Sequence, residues 1–292
     1  MLVVGDHAGS VSAVAFTPDG CGLASAAKDG ILRLWNLGGG APISFAAGPE
    51  SVLSLAISAD GARLAAGGKD GALQLWRSDA QPERSFGRFD APVCSVTFLA
   101  GGQYLAAAIG NRINAAEPGD VRIWRMTDCA AIGRLGEPNG VWALAAAPQH
   151  KLLAWSSGAR RVTIWELTAQ DRHIFPPLKV GATALAMSND GRLLAAGDDW
   201  TIHLWDVSRR EEIASLDGHK GRVAALAFTP DGRQLLSGGG DRRIITWDVE
   251  TGREHHNVDW NLGRVTTLAV SPDGLLCAAA GDAGRVVVWD RE

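Results

Sequence analysis

The sequence predicts an all-β protein in which seven four-stranded antiparallel sheets pack radially around a common axis. Three observations predict this fold class: a tryptophan closes a short aliphatic run at regular intervals, an apolar run precedes each such tryptophan, and most copies carry a turn between the two. Self-similarity at a fixed period is the sequence sign of a repeat architecture. We expect the repeats to occupy residues 1–292 as one domain.

The tryptophan repeat has a nearly constant period along the whole chain. Successive repeat tryptophans are 41, 48, 41, 40, 42 and 42 positions apart. This regularity indicates seven copies of one supersecondary unit. The seven residues are Trp35, Trp76, Trp124, Trp165, Trp205, Trp247 and Trp289.

Each copy has the pattern of an antiparallel meander. In the first copy the strands are VSAVAF, GLASAA, ILRLW and APISFAA, and the turn TPDG (17–20) joins the first two. Proline fixes φ at the second turn position, aspartate bonds its own backbone, and glycine accepts the positive φ that closes a hairpin. The VSAVAF strand is apolar on both faces, so it needs cover on both sides, which radially stacked sheets provide.

These repeats resemble the WD-repeat family, whose units run about 40–45 residues from a Gly-His start to a Trp-Asp end. The resemblance covers essentially the whole chain and implies a seven-bladed β-propeller of four-stranded antiparallel blades. Individual copies are degenerate, since aspartate follows the tryptophan only at Trp205, Trp247 and Trp289. The alanine-rich and glycine-rich composition, with arginine preferred to lysine, suggests a bacterial type.

The last copy ends at VVVWDRE without a fourth strand. In register with the segment before His219, Val4 matches Leu216, so residues 1–4 take the missing outer position. We expect this N-terminal segment to pair with the strand that ends at Trp289. The pairing would leave no open sheet edge in the ring.

Two copies carry a set of residues that looks like a hydrolase triad beside a tryptophan. The family resemblance implies structural tetrads instead, in which a buried histidine and a tryptophan N–H satisfy each other through polar partners. A serine hydrolase would need an exposed nucleophile and an oxyanion hole. We therefore predict no catalytic residue. The two sets are His7, Ser25, Asp29 and Trp35, and His219, Ser237, Asp241 and Trp247.

The other copies depart from this set. Asp70 and Asp199 are expected to keep the acid without the histidine, Trp155 stands at the serine position of copy four, and Ala283 replaces the last acid. We expect these blades to rest on apolar packing. The histidine position holds Gly48, Phe89, Glu137 and Asn261 in copies two, three, four and seven.

The sequence predicts no cofactor and no metal. The residues just before the inner strands include no acid, which argues against a divalent ion at the channel mouth. His255 and His256 are adjacent on a strand and are expected on opposite faces. The four cysteines have no metal-ligand spacing and are predicted to be small buried residues in a reducing compartment. The residues before the inner strands are Ser10, Ser51, Pro92, Gly140, Gly181, Arg222 and Arg264.

Basic loop residues form the first candidate for partner binding. Guanidinium groups bind carboxylates and phosphates bidentately, so such an arc could clamp an acidic or phosphorylated segment. The alternative is a solvated face balanced by Asp217, Asp241 and Asp282. The basic residues are Arg222, Arg264, Lys220, Arg242, Arg243 and Arg285, with Arg160 and Arg161 in copy four.

A longer loop and three tryptophans complete the candidates. The third copy has seven extra residues within 111–120, which include Asn111 and Arg112, and loops on a rigid scaffold often carry recognition. Trp200 and Trp260 stand in loops, where exposed aromatics favour binding, and Trp142 begins an inner strand at the channel entrance. The alternatives are a tolerated insertion and rings that pack on neighbouring loops.

The function predicted from these features is a non-catalytic scaffold for protein or peptide partners. The alternatives are a regulatory or sensory module of a larger protein and a propeller hydrolase. A net charge of −4 and the lack of an aromatic-basic stripe argue against nucleic acid as the main partner.

The uncharged run 91–110 is interpreted as two sheet strands rather than a membrane span. We expect a monomer in the cytosol, since no basic n-region precedes the first apolar residues.

Overall fold

Seven four-stranded antiparallel sheets make up the protein, as a computed structural model shows. The structure describes residues 2–48, 51–111, 114 and 116–291. Within these residues there are 28 strands and no helix, and therefore no helix that could cross a membrane. The predicted all-β fold class is confirmed.

The blades are numbered here by the chain order of their inner strands. Blade 1 consists of β2 Val11–Phe16, β3 Gly22–Ala27, β4 Ile31–Asn36 and β5 Ile43–Ala46. Blade 2 consists of β6 Val52–Ile57, β7 Arg63–Gly68, β8 Ala72–Arg77 and β9 Pro82–Arg88. Blade 3 consists of β10 Val93–Leu99, β11 Tyr104–Ile109, β12 Gly119–Arg125 and β13 Ala130–Glu137. Blades 4 and 5 consist of β14 Val141–Ala146, β15 Leu152–Ser157, β16 Arg161–Glu166, β17 Asp171–Ile174; and β18 Ala182–Met187, β19 Leu193–Asp198, β20 Thr201–Asp206, β21 Glu211–Asp217. Blades 6 and 7 consist of β22 Val223–Phe228, β23 Gln234–Gly239, β24 Ile244–Asp248, β25 Glu254–Val258; and β26 Val265–Val270, β27 Leu276–Gly281, β28 Arg285–Asp290, β1 Leu2–Asp6.

The inner strands form a closed ring. Each contacts the inner strands of both neighbouring blades, and β26 of the last blade contacts β2 of the first. Hydroxyl groups on these strands donate across the gaps: Ser12 Oγ to the Val52 carbonyl at 2.6 Å, and Thr266 Oγ1 to the Val11 carbonyl at 2.5 Å. The second bond joins the last blade to the first, so the ring is closed at its centre as well as at its rim.

The N-terminal strand closes the rim as predicted. β1 pairs with β28 in antiparallel register, from Leu2 opposite Val288 to Asp6 opposite Arg285, with a bulge between Val3 and Gly5. Met1, the first residue of the predicted segment, lies outside the described residues. The last blade thus gains its fourth strand from the opposite end of the chain.

The hydrophobic core lies between the blades rather than inside any one of them. Each of its seven clusters combines side chains of two adjacent blades. One cluster packs Val11, Val14 and Phe16 of blade 1 against Ala280 and Val288 of blade 7. Because each sheet hides both faces, the two-sided apolar pattern of VSAVAF follows directly from the ring.

The turns between the first two strands behave as their sequence predicts. In TPDG, Thr17 Oγ1 donates to Asp19 Oδ1 at 2.5 Å, and the same oxygen accepts the Cys21 amide at 3.0 Å. Gly20 follows with φ of 71°. These bonds lower the pKa of Asp19, chiefly through the Thr17 hydroxyl.

Two further sequence expectations have mixed outcomes. The run 91–110 forms strands β10 and β11, as predicted.

Cys94 and Cys277 are buried, and burial raises the pKa of the Cys277 thiol to about 12. Cys129 is half-buried. Cys21 is exposed, so the prediction of a buried residue is wrong there, because Cys21 follows the turn and lies outside the β3 strand.

Deleting Leu2–Asp6 should destabilise the whole ring, because it bares Val286 and Val288 of β28 and opens a sheet edge. We expect a loss of about 3 kcal/mol or more in the free energy of unfolding, measured by denaturant titration. The matched control L2A/V3A keeps the backbone pairing and trims side chains that are 56% and 46% exposed, so it should cost about 1 kcal/mol or less. A deletion variant as stable as the control would contradict the closure.

Candidate partner-binding face

Two sets of loops build one face of the ring, called the upper face here. One set joins the outer strand of each blade to the inner strand of the next, and the other set joins the second strand of each blade to the third. The residues predicted to precede the inner strands do so in all seven blades, from Ser10 before β2 to Arg264 before β26. The inner-strand starts therefore surround the upper mouth of the central channel.

The two predicted tetrads form continuous hydrogen-bond chains beneath this face. In blade 1, His7 Nδ1 lies 3.1 Å from Asp29 Oδ2, His7 Nε2 lies 2.7 Å from Ser25 Oγ, and Trp35 Nε1 donates to Ser25 Oγ at 2.8 Å. Asp29 also accepts the Ala8 and Ile31 amides, so it fixes both upper loops of the blade.

The blade 6 tetrad has nearly the same geometry. His219 Nδ1 lies 3.0 Å from Asp241, His219 Nε2 lies 2.8 Å from Ser237 Oγ, and Trp247 Nε1 donates to Ser237 Oγ at 2.7 Å. Asp241 accepts the Lys220 amide at 2.8 Å. Ser25 and Ser237 are fully buried, so neither can reach a substrate as a nucleophile would have to.

Burial sets the protonation of the blade 1 tetrad. Desolvation lowers the pKa of His7, and the hydrogen bond to Asp29 offsets only part of that effect. Burial opposes ionisation of Asp29, but hydrogen bonds from the Ile31 amide and from His7 outweigh it and lower the pKa of Asp29. A neutral histidine beside an ionised aspartate is the arrangement that locks the two loops.

Blade 4 replaces the tetrad with an ion pair between a buried glutamate and an exposed arginine, so the expectation of purely apolar packing is wrong there. Trp155 is fully buried in β15, and its Nε1 donates to Glu137 Oε1 at 2.9 Å. Glu137 is itself buried and pairs with Arg172, whose guanidinium lies 5.1 Å over the Trp155 ring. The glutamate at the histidine position and the tryptophan at the serine position thus compensate for each other.

Blade 5 uses Asp198 rather than the predicted Asp199. The Asp198 carboxylate accepts the amides of Lys179, Val180 and Gly181 at 2.6, 2.8 and 3.0 Å, and so fixes the preceding loop. Only Asp199 and Trp200 lie between β19 and β20, and Asp199 has φ of 56°. The turn is one residue shorter than its counterpart in blade 1, which places the acid at the end of the strand.

Two other blades keep an acid that fixes a loop. Asp70 of blade 2 accepts the Ala72 amide and pairs with Arg88 at 2.7 Å, as its retained position predicts. In blade 7, where Ala283 replaces the tetrad acid, the preceding Asp282 accepts the Arg264 amide at 2.7 Å.

Trp200 projects from the blade 5 turn and is 57% exposed, a large value for an aromatic side chain. The exposed Val180 stands on the loop that Asp198 fixes, and Arg160 Nη1 donates to the Lys179 carbonyl of that loop at 3.2 Å. Arg160 and Asp198 thus both bond the loop that carries Val180, and Trp200 stands on the turn two residues after Asp198. We call Arg160, Val180 and Trp200 the blade 5 patch.

The other two candidate tryptophans are less exposed than Trp200, and Trp260 is half-buried. Trp142 is buried, and its ring lies against Gly181, where a Cβ atom would come within 3.1 Å of it. Trp260 packs edge-on against Trp289, with ring centroids 4.3 Å apart. For Trp260 the alternative interpretation, packing on a neighbouring element, is the one that the structure has.

The sequence predicted that His255 and His256 lie on opposite faces of their strand. This prediction is wrong. Their rings are in edge contact, with centroids 4.2 Å apart. A register shift in the pairing of β24 with β25 leaves His255 out of the ladder and breaks the alternation. Among the described residues, no group of three or more potential ligands includes this pair.

The predicted basic arc divides into paired and unpaired members. Arg264 Nε bonds Asp282 at 2.7 Å, Arg285 lies 3.5 Å from Asp6, and Arg242 lies 3.9 Å from Asp259. Arg222 and Arg243 form no ion pair within the described part of the chain. The two arginines expected to act together, Arg222 and Arg264, thus differ because one is already neutralised.

The channel mouth opens into a cavity of about 520 Å³ on the upper face. Asn111 lines it, and the described part of the long loop holds together through bonds of Asn111 and Asn114 to Glu117. Arg112, also predicted to bind, lies outside the described residues. The remaining lining comprises Ser10, Val11, Ser12, Lys28, Ser51, Leu53, Lys69, Pro92, Cys94, Thr183, Ala224 and Thr266.

Sequence reasoning missed Lys28 and Lys69. Both line the cavity, and both occupy the same place, directly before the tetrad aspartate position in the KDG sequences 28–30 and 69–71. Their identical offset in adjacent copies was the signal that could have revealed them.

The fold and the tetrads define a β-propeller of the WD-repeat class. The family model for the WD domain, G-beta repeat, matches residues 2–36, 41–77, 175–206, 210–248 and 253–290. These segments make up more than half of the chain, so the chain belongs to this family. The unmatched stretch 78–174 includes the blade 4 ion pair, where the usual residues are replaced.

Segments of three curated proteins are similar to this chain. It is 48% identical over 63 residues to "U3 snoRNP-associated protein-like YAOH" of Oryza sativa subsp. japonica, which is 20% of this chain and 12% of that protein. It is 50% identical over 46 residues to "U3 snoRNP-associated protein-like EMB2271" of Arabidopsis thaliana, 15% of this chain and 10% of that protein. It is 45% identical over 53 residues to "Guanine nucleotide-binding protein G(I)/G(S)/G(T) subunit beta-1" of Homarus americanus, 18% of this chain and 16% of that protein.

The matched segments thus span a small part of each curated relative. Among solved structures, "Structure of U3-55K" superposes with a TM-score of 0.87 and 20% identity, over 99% of this chain and 98% of that one, which shows the shared fold. The curated relatives come from two plants and a lobster, so the bacterial type suggested by the composition is not borne out.

The His7 tetrad should make stability depend on pH. Because the pKa of His7 is lower in the folded chain than its usual value of about 6.5, the folded state favours the neutral ring. Its contribution is complete above about pH 6.5 and is lost as the pH falls toward the folded-state pKa. Between about pH 7 and about pH 5, the Tm of the wild type should fall more than that of H7Q. H150Q, at an exposed histidine, should retain the wild-type slope; equal slopes for all three would contradict this assignment.

Removing the buried carboxylate of Glu137 should be costly. E137A leaves the Trp155 N–H without its acceptor and Arg172 without its partner, so we expect a loss of about 3 kcal/mol in the free energy of unfolding. E137Q keeps an acceptor for Trp155 and should lose about 1 kcal/mol. E211A, at an exposed glutamate, serves as the control in the same urea titration. An E137A variant as stable as E211A would show that the pair has no structural role.

Proposed function

We propose that this chain is a non-catalytic interaction platform that binds protein or peptide partners through the upper face. The observation that carries the proposal is Trp200, a largely exposed indole on a two-residue turn whose neighbouring loop is fixed by Asp198. Tryptophan and arginine are the residues most enriched among binding hot spots. A rigid turn presents them with little conformational entropy left to lose on binding.

The relatives support a role in complexes. Two are named as associated with the U3 snoRNP, and the third is named as a subunit of a guanine nucleotide-binding protein. By analogy, we infer that this chain also works within an assembly. The expectation of a protein rather than a nucleic-acid partner rests on the charge of −4. The monomeric state and the cytosolic location stay predictions, and the U3 snoRNP names lend the location no support.

The hydrolase alternative is disfavoured by the tetrads. Both serine hydroxyls are fully buried and accept hydrogen bonds from a tryptophan indole. Each serine hydroxyl bonds the tetrad histidine and tryptophan and so joins a loop to the strands beneath it. The same arrangement recurs in two blades. The regulatory-module alternative differs from the platform in what is attached to the ring.

Truncating the blade 5 patch should remove partners without unfolding the ring. For W200A/R160A we expect partners to bind about thirtyfold more weakly or to be lost, since a hot-spot residue contributes about 2 kcal/mol or more. Affinity capture with mass spectrometry, followed by titration of each captured partner, measures the change.

The matched control is I213A, which trims a side chain of similar exposure (47%) on the outer strand β21, away from the upper loops. It should keep the wild-type partners. Identical partner lists for the wild type, I213A and W200A/R160A would overturn the proposal.

A further inference from the structure

We propose that the mouth of the central channel binds a phosphate group carried by a partner polypeptide, held between Lys28 and Lys69. The inference deepens the proposed function and rests on it, because the site lies on the same upper face. It moves the anion site away from the arginines Arg222 and Arg264, where the sequence had placed it.

Charge is unevenly distributed around the channel mouth. In each blade one residue directly follows the second strand and stands on this rim. Two adjacent blades place lysines there, while aspartates stand in blades 5 and 7. The seven rim residues are Lys28, Lys69, Gly110, Gly158, Asp199, Gly240 and Asp282. The rim of blades 1 and 2 therefore carries two cations. The nearest of the rim acids, Asp282 of the adjacent blade 7, is already paired with Arg264.

The ammonium groups of Lys28 and Lys69 remain available to a ligand. Each lysine is followed by an aspartate, but Asp29 is engaged by His7 and Arg33, and Asp70 is engaged by Arg88. In the described part of the chain, no carboxylate forms an ion pair with Lys28 or Lys69, and both side chains are exposed. Glu117, on the long loop, is held by Asn111 and Asn114 and is not part of the lining.

The lining of the cavity also suits an anion. Lys28 and Lys69 are its only charged residues among those described, and the serines Ser10, Ser12 and Ser51 stand beside them. Ser12 and Ser51 donate to backbone carbonyls, which leaves the Ser10 hydroxyl to donate to a ligand. A volume of about 520 Å³ holds a side chain and its phosphate, and is within the usual range for ligand sites.

Charge favours phosphate over carboxylate. A phosphorylated side chain carries a charge of about −1.5 to −2 at neutral pH, which two ammonium groups neutralise, whereas a carboxylate carries one. Among the described residues, the lining has no aromatic ring on which a base could stack, which disfavours single-stranded nucleic acid as the source of the phosphate.

Fluorescence anisotropy with labelled peptides tests the site. The probes are a short phosphoserine peptide, its serine and glutamate counterparts, and a single-stranded RNA of equal charge. We expect the phosphopeptide to bind at least about tenfold more tightly than the other three, with affinity falling as salt is added. K28Q/K69Q should weaken phosphopeptide binding by about tenfold or more, because each substitution removes a charge-assisted hydrogen bond to the phosphate.

Two matched variants remove the same two charges elsewhere. R192Q/R233Q does so at exposed arginines on the opposite face, and R222Q/R243Q does so on the upper face outside the lysine sector. Both should bind the phosphopeptide within about twofold of the wild type. Unchanged binding by K28Q/K69Q, equal loss in R222Q/R243Q, or equal affinity for the glutamate peptide or the RNA would each overturn the proposal.

The two proposals fail in distinguishable ways. If W200A/R160A keeps every partner while K28Q/K69Q loses the phosphopeptide, the blade 5 patch is not the platform but the channel site stands. If the W200A/R160A variant loses partners while K28Q/K69Q binds the phosphopeptide as the wild type does, the platform stands and the channel site is refuted. Circular dichroism of both variants excludes unfolding as the cause, since all four side chains are exposed.

Discussion

Closure of the ring is the constraint on which the rest of the structure depends. Each hydrophobic cluster of the described residues combines two adjacent blades, so a sheet buries its apolar faces against its neighbours. The pairing of β1 with β28 and the bond from Thr266 to the Val11 carbonyl complete the circle at rim and centre. Once closed, the ring leaves loops as the variable surface, and these loops hold the candidate sites.

Different sets of polar residues fix the upper loops, and all of them meet the same two requirements. A buried indole or imidazole N–H must find an acceptor, and a loop needs a bond to the strand beneath it. Blades 1 and 6 use the full tetrad, blade 4 uses Glu137 with Arg172, and blade 5 uses Asp198. Degenerate repeats can therefore preserve loop geometry while the residues that provide it change.

The sequence was sufficient for the architecture because the ring imposes a repeated pattern. Strand starts, the two tetrads and the closing strand followed from period and register. Features that depend on one-residue offsets were missed: the shorter turn that selects Asp198 over Asp199, and the register shift that brings His255 beside His256. The pairing of Arg264 with Asp282 and the exposure of Lys28 and Lys69 depend on side-chain conformation in three dimensions, which a repeat pattern does not encode.

The pairing of β1 with β28 in blade 7 also determines where the backbone enters and leaves the ring. Leu2 lies opposite Val288, so both ends of the described chain emerge side by side at the periphery, on the side away from the channel mouth. A fluorophore, an affinity tag or a covalent tether fixed to either end would point away from the lysine sector and from Trp200. Surface immobilisation through a terminus should accordingly orient the molecule with its recognition loops toward the solution.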